Sequence, residues 1–263
     1  MNKIITIIKK EWKEIFRNRM VLFTTAFLPL ILVAIPLGIL LAMRQDTALQ
    51  NSVGNIPDQY NIFCPPDMGS GECMQVYLIN QFMVLFMILP LAIPATISAY
   101  SIVGEKTTRS LEPLLATPIT TAQLLIAKGF AAAIPAIMAT FAAFGIYALG
   151  AWIIIENYQI FQAIMDVRWI LAVLLVGPLM SMLAVSFSII VSSRVNDPRV
   201  AEQISMVVIV PVIALFIGQM AGLFFINRQI IFVAAILLVM VDIVMVYLAV
   251  HLFQRETILT RWK

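Results

Sequence analysis

The chain has 263 residues, of which 62% are hydrophobic and 12% are charged, and its formal net charge is +3. Soluble domains carry about 45–50% apolar and about 25% charged residues, so a soluble fold is excluded. The 11 Gly, 13 Pro and 2 Cys exclude disordered, collagen-like and disulfide-dense chains, and so small a charge argues against a nucleic-acid partner. The composition predicts an all-α, polytopic membrane protein.

The first predicted element is an amphipathic helix over residues 1–19. Ile4, Ile8, Trp12 and Ile15 recur at helical spacing opposite a largely basic face. This pattern is typical of a helix that lies in the membrane interface, and a plain basic flank that anchors the first span is the alternative. Because the stretch lacks a short apolar core followed by a small-residue cleavage site, we do not expect a secretory signal.

Six apolar segments follow, and we expect them to form a single transmembrane domain within residues 1–263. A membrane-spanning helix needs about 20 mostly apolar residues, and all six segments meet or nearly meet this length. The predicted spans are residues 21–43, 77–103, 124–155, 168–192, 200–226 and 230–252. Only Asn227, Arg228 and Gln229 separate the last two spans, so residues 218–229 form either a plain turn or a short re-entrant segment.

The distribution of Lys and Arg predicts the orientation of these spans. With a cytoplasmic N-terminus, only Arg44, Arg168 and Arg228 of the 17 basic residues lie outside, and both termini lie in the cytoplasm. We therefore expect a multi-pass protein of the cell membrane. Its outer loops are residues 44–76 and 156–167, and its cytoplasmic loops are residues 104–123 and 193–199.

The first cytoplasmic loop has an apolar face that needs an explanation. It reads GEKTTRSLEPLLATPITTAQLLIAKG over residues 104–129, and residues 110–116 can form two helical turns before Thr117-Pro118 breaks the helix. Thr120 and Gln123 have the spacing of a capping box for the third span. An apolar face in an aqueous loop predicts a docking partner, and the alternative is that it folds back onto the membrane surface. The residues of this face and its flanks are Arg109, Leu111, Glu112, Leu114 and Leu115.

The same loop resembles that of the permeases of ABC type-2 exporters. The matching residues are Glu105-Lys106, Ser110-Leu111-Glu112, Leu114-Leu115-Ala116, Thr117-Pro118, Leu124 and Lys128. Arg109-Ser110 stands where Gly-Thr is common in the family, and the rest of the motif stays in register. The basic amphipathic start, the six spans, the inner termini and the large first outer loop are similar to the family as well.

The resemblance implies the membrane half of an ATP-driven exporter. Two permease copies would pair with two copies of a separate ATPase chain, which would bind ATP and Mg²⁺, so that no cofactor is expected on this chain. The loop would dock into a groove of the ATPase as a coupling helix. The implied coupling residues are Glu105, Arg109, Leu111, Glu112, Leu114 and Leu115.

The pairing of permeases could be between identical or different chains, and the sequence leaves this open. Gly218 and Gly222 have the small-xxx-small spacing that lets helices approach closely. We expect this spacing to serve helix packing, either within one subunit or at a homodimer seam.

The residues give little support for catalysis on the chain itself. The string Gly104-Glu105-Lys106-Thr107 lacks the glycine before the lysine that a phosphate-binding P-loop requires. The single histidine, His251, has no second histidine for zinc and no serine beside it for a nucleophilic pair. We expect neither a catalytic site nor a metal site.

Asp242 lies near the middle of the sixth span, where an ionised carboxylate is costly. One interpretation is that it faces the translocation pathway or a cation. The other is that it is protonated, or hydrogen-bonded to Ser181, Ser186 or Ser188. The first interpretation also supports an alternative function, a self-sufficient ion channel or secondary transporter that uses Asp242. No residue selects the transported substrate.

Cys64 and Cys73 are the two cysteines of the chain, and both lie in the predicted outer loop. Disulfides persist in oxidising compartments, and Pro65-Pro66 together with a glycine pair can reverse the chain between the two residues. We therefore expect a Cys64–Cys73 disulfide. Free thiols in an anaerobic cell and a surface metal pair are the alternatives.

Overall fold

The computed structural model describes residues 2–17, 19–45, 69–107 and 120–252, and these residues are helical apart from short connections. The helices are α1 (Asn2–Arg17), α2 (Arg19–Gln45), α3 (Ser70–Phe86), α4 (Leu89–Thr107), α5 (Thr121–Ile154), α6 (Tyr158–Ile164), α7 (Val167–Leu171), α8 (Gly177–Arg194), α9 (Pro198–Ser205), α10 (Val210–Met220) and α11 (Arg228–Leu252). A π-helical turn, Ala172–Val176, joins α7 to α8, and a 3₁₀ turn, Met206–Ile209, joins α9 to α10.

Within the described ranges, six stretches are long and apolar enough to cross a membrane, which confirms the predicted number of spans. They are Val21–Arg44, Gly71–Glu105, Ala122–Ile154, Tyr158–Arg194, Pro198–Met220 and Arg228–Leu252. The chain is therefore a multi-pass α-helical membrane protein.

Three predicted boundaries are wrong. The fifth span ends at Met220 and does not extend to residue 226, because the chain turns back at Ala221. The outer loop expected over residues 44–76 is shorter, since α2 continues to Gln45 and α3 already begins at Ser70. The loop expected over residues 156–167 contains the short helix α6, whose N-cap is Asn157.

The second span is the centre of the bundle. In the most apolar 18-residue stretch of this span 83% of the residues are buried, against 22%, 17% and 22% in the corresponding stretches of the third, fifth and sixth spans. Its second half, α4, packs against α5, α8 and α9. Its first half, α3, is tied to the fourth span, because Trp169 Nε1 donates a hydrogen bond to Asn80 Oδ1 at 2.8 Å. The outer spans instead present apolar side chains outward, as a lipid environment requires.

Three of the prolines lie beside places where spans lose regular α-helical geometry. Pro178 is the second residue of α8, two positions after the π-helical turn, and Pro211 is the second residue of α10, two positions after the 3₁₀ turn. Pro90 stands beside the turn at residues 87–88 that divides the second span into α3 and α4. Because proline has no N–H and its ring clashes with the preceding turn, each break has a local covalent cause.

The bundle has two ends, which we name from the connections they carry. The loop end is the end where α4 stops at Thr107 and α5 starts at Thr121, and the opposite end carries the connections at residues 155–157 and 221–227. At the opposite end Arg44 forms an ion pair with Glu156. Arg168 Nη1 also donates a hydrogen bond there, to the carbonyl of Ile226 at 3.2 Å.

The connection between the last two spans is a compact turn packed against its own helix. Gly222 has a φ of 71°, a backbone conformation that glycine adopts without strain. The turn brings Phe224 over Gly218, where a Cβ atom would lie 2.7 Å from Phe224 Cε1. A side chain at position 218 would therefore clash with the ring of Phe224, which explains the glycine there. Gly222 lies beyond the end of α10. Within one subunit this pair does not form the close contact between two helices that its spacing predicts, and a role at a homodimer seam stays a prediction.

Candidate functional site

The structure describes the two helix ends that hold the first predicted cytoplasmic loop. Arg109, Leu111, Glu112, Leu114 and Leu115 lie outside the described residues. The start of α5 has the predicted capping box, because Gln123 N donates to Thr120 Oγ1 and Thr120 N donates to Gln123 Oε1, both at 3.2 Å. The point where the loop rejoins the membrane is therefore fixed by reciprocal hydrogen bonds.

A buried charge network lies beside these helix ends. Lys128 Nζ on α5 is 2.7 Å from Glu105 Oε2 on α4 and 2.9 Å from Glu11 Oε1 on α1. The side chains of the three residues are only 3%, 7% and 2% exposed, respectively. One ammonium group thus joins the N-terminal helix to both helices that flank the loop.

Ser101 and Lys10 complete the network. Ser101 Oγ donates to Glu11 Oε2 at 2.6 Å and accepts from Lys128 Nζ at 2.9 Å. Lys10 Nζ lies 2.6 Å from Glu105 Oε1, and its side chain is 41% exposed. Burial alone would lower the pKa of Lys10, but its hydrogen bond to Glu105 and the nearby carboxylates raise the pKa above its usual value.

The network supplies the counter-charges of its own carboxylates. Carboxylate oxygens of Glu11, Glu14 and Glu105 converge within 4.8 Å, which alone would suit a cation. However, the Lys10 ammonium lies among them, 3.5 Å from Glu14 Oε1, and Lys128 contacts the other two. Because the protein supplies its own cations, the carboxylates serve to hold the helices together.

The N-terminal helix packs on the protein through its apolar stripe. Ile7 is buried against Leu124 and Ala127 at the start of α5. Trp12 Nε1 donates to the carbonyl of Ala131 at 3.0 Å. A helix is present over Asn2–Arg17, and its place in the membrane interface stays a prediction.

Glu11 and Lys128 are the site residues that the sequence reasoning missed. Lys128 matches the loop motif of the ABC type-2 permeases, but no sequence pattern assigns it a partner. Glu11 occurs four residues after Ile7, which places it on the apolar stripe of α1. A carboxylate on an apolar helix face predicts a buried cation, and this signal was available in the sequence.

The other side of α4 is held by the short helix α9. Asp197 caps this helix, accepting from Arg199 N at 2.7 Å. Thr96 Oγ1 donates to Glu202 Oε1 at 2.9 Å, which links the second span to the start of the fifth. The loop end of the second span is therefore fixed from both sides.

Asp242 is 7% exposed on α11, and neither carboxylate oxygen has a hydrogen-bond partner among the described residues. The predicted serine partners do not reach it. Ser181 donates instead to the carbonyl of Gly177 at 3.2 Å, and Ser188 donates to the carbonyl of Ala95 at 3.1 Å. Ser186 is buried on the same helix, α8, and it does not donate a hydrogen bond to Asp242 either.

The predicted disulfide falls partly outside the described residues. Cys73 is buried in α3 with 4% exposure. Cys64 is not among the described residues, and the disulfide therefore stays a prediction.

The comparisons with known proteins agree with the helical architecture. The family model described as ABC-2 family transporter protein matches residues 5–230, which cover the first five spans and the start of α11. The chain therefore belongs to the ABC-2 transporter family, whose members have a role in membrane transport. A search of curated proteins finds no match to the chain.

Proposed function

We propose that the chain is the permease subunit of an ABC exporter. It forms the translocation pathway as a dimer and is driven by a separate ATPase subunit at the loop end. The observation that carries this proposal is the Glu11–Glu105–Lys128 network. A force applied to the loop reaches α4 and α5 directly, and the buried ion pairs pass it to α1 and the first span.

The loop residues then divide into two groups by their role. Arg109, Leu111, Glu112, Leu114 and Leu115 form the coupling surface that docks into the ATPase. Glu105 does not contact the ATPase in this proposal. Its ion pairs with Lys10 and Lys128 fix the position of the start of the loop.

The proposal also gives the sides of the membrane and the source of energy. The loop end faces the cytoplasm, both termini lie there, and the protein resides in the cell membrane. ATP and Mg²⁺ bind to the ATPase subunit, and this chain supplies no catalytic residue. A second permease copy completes the pathway.

One observation favours a second candidate function. The unpartnered carboxylate of Asp242 suits the ion site of a self-sufficient channel or secondary transporter. Such a protein would move ions in proteoliposomes that contain this chain alone. An exporter subunit would be inactive under the same conditions.

Co-purification tests the main proposal. The tagged chain is extracted from its native membrane in mild detergent, and we expect a P-loop ATPase to accompany it in equal numbers. A cysteine at Leu111 should cross-link to that ATPase, whereas one at Leu149, a lipid-facing position of α5 with 64% exposure, should not. Isolation of the chain without any ATPase, combined with ion flux by the chain alone, would contradict the proposal.

A further inference from the structure

An apolar cavity lies between the third, fourth and sixth spans, in the half of the bundle nearer the loop end. Its volume is about 100 Å³. The three helices α5, α8 and α11 each contribute to its wall. Its central lining residues are Gly129, Ala133, Val185, Ser186, Val246 and Ala249.

The cavity opens sideways, toward the lipid. Three side chains at its rim, Ile126, Phe130 and Met182, are 45%, 45% and 41% exposed. An apolar cavity of roughly 150 Å³ accommodates a benzene ring, so this smaller space, which is open on one side, takes only part of a ring or a short arm of a larger molecule. The rest of such a molecule would remain in the bilayer.

Asp242 does not line this cavity, but it lies farther along the same face of α11, toward the middle of the bundle. The buried face of α11 includes Leu238, Asp242 and Ala249. Asp242 and Ala249 are seven residues apart, so they lie on nearly the same line along the helix. Val246, which also lines the cavity, lies one turn from Asp242, a rise of about 6 Å.

The carboxylate of Asp242 lacks a partner in either protonation state. If ionised, it has no ion pair or hydrogen-bond donor within the part of the chain that the structure describes. If protonated, it has no acceptor there. A buried polar group of this kind is costly unless a ligand completes it.

We propose that Asp242 and the adjoining cavity bind a lipophilic organic monocation that enters from the bilayer. The single carboxylate matches one positive charge, and the apolar wall matches a hydrophobic arm. A small inorganic cation would lose its hydration shell among carbon atoms, with Ser186 as the nearest polar lining residue. Binding of the cation does not depend on the proposed function. The identification of this cation as the exported substrate does rest on it.

Binding to the isolated permease tests the charge. The purified chain in lipid nanodiscs is titrated with radiolabelled tetraphenylphosphonium, and with tetraphenylborate as a matched anion of similar shape. We expect saturable binding of the cation alone. Asp242→Asn should raise its Kd about tenfold or more, whereas Asp242→Glu should keep the Kd within about threefold.

A second pair of variants tests the cavity. Gly129→Leu places a side chain on the cavity wall, where a Cβ would lie 3.4 Å from Val185 Cγ1. Gly145→Leu adds the same side chain to the same helix, where a Cβ meets nothing within 4 Å. Gly129→Leu should weaken tetraphenylphosphonium binding by about fivefold or more, and Gly145→Leu should leave it unchanged.

Several results would overturn the inference. These are equal binding of the cation and the anion, unchanged binding by Asp242→Asn, absence of cation binding by the wild-type chain, and no difference between the two glycine variants. Displacement of the probe by sodium alone would assign the site to an inorganic cation and would also overturn it. The assay contains no ATPase, so its failure leaves the export proposal standing, whereas missing co-purification leaves this binding result intact.

Discussion

Lys128 is the residue on which three helices depend at the loop end. Its ammonium group contacts Glu11 on α1 and Glu105 on α4, and almost no solvent reaches any of the three side chains. In such surroundings an ion pair matters most through the penalty for breaking it. Removal of one partner leaves the other charge buried and unpaired.

Replacement of Lys128 by methionine should therefore destabilise the protein. We expect Lys128→Met to lower the free energy of unfolding by about 3 kcal/mol or more, because Glu11 and Glu105 would be left buried without their shared cation. Lys10→Met is the control, and its effect should be about 1 kcal/mol or less because Lys10 is 41% exposed. Denaturant unfolding of the detergent-solubilised variants, followed by circular dichroism, measures both values. Equal losses in the two variants would contradict this account of the network.

The predicted disulfide is a second test at the scale of single residues. If Cys64 and Cys73 are bonded, alkylation of the unfolded protein without reductant should add no mass, and alkylation after reduction should add two groups. The bond should stabilise the loop by roughly 2–3 kcal/mol in the chain-entropy description. Two modified thiols in the unreduced sample would exclude the disulfide.

At the scale of elements, the sequence predicted the helices better than their contacts. The spans were predictable because the length of an apolar run is a local property, and the capping box at Thr120 and Gln123 was predictable because its two residues are three positions apart. The pairing of Glu11 with Lys128 joins residues 117 positions apart, so no local pattern could have indicated it. The early end of α10 depends on Phe224 folding back over Gly218, which is equally a matter of tertiary packing.

The loop that the network holds can be tested as an element of its own. Leu114→Asp places a charge in the predicted apolar docking face, and it should uncouple ATP hydrolysis from transport while membrane insertion stays normal. Ser110→Asp adds the same charge beside this face and should have a much smaller effect. ATP-driven export by proteoliposomes that contain both subunits is the measurement. Full export by Leu114→Asp would exclude the docking role.

At the scale of the whole molecule, the arrangement of the six spans determines which residues share a membrane face. Single cysteines at Ser110 and Thr260, in a background without Cys64 and Cys73, should react with an impermeant thiol reagent only from the cytoplasm. A cysteine at Gln50 should react only from outside, because an odd number of spans separates it from both other positions. Reaction of Ser110 from outside would reverse the proposed orientation.

The central position of the second span does not follow from its overall hydropathy, since all six segments are similarly apolar. What distinguishes it is the buried polar residues of α3, among them Gln75, Asn80 and Gln81. An outer span can place few such groups toward lipid, whereas a central span can bury them among its neighbours. Their number in one segment is the sequence signal that points to the centre of the bundle.

The bond between Trp169 and Asn80 has a consequence for biosynthesis. The two residues are 89 positions apart, and a ribosome that adds about 5–20 residues per second delivers Trp169 about 4–18 s after Asn80. During that interval the polar side chains of the second span enter the membrane before the fourth span exists to cover them. The span at the centre of the finished protein must therefore be sheltered while the nascent chain is inserted.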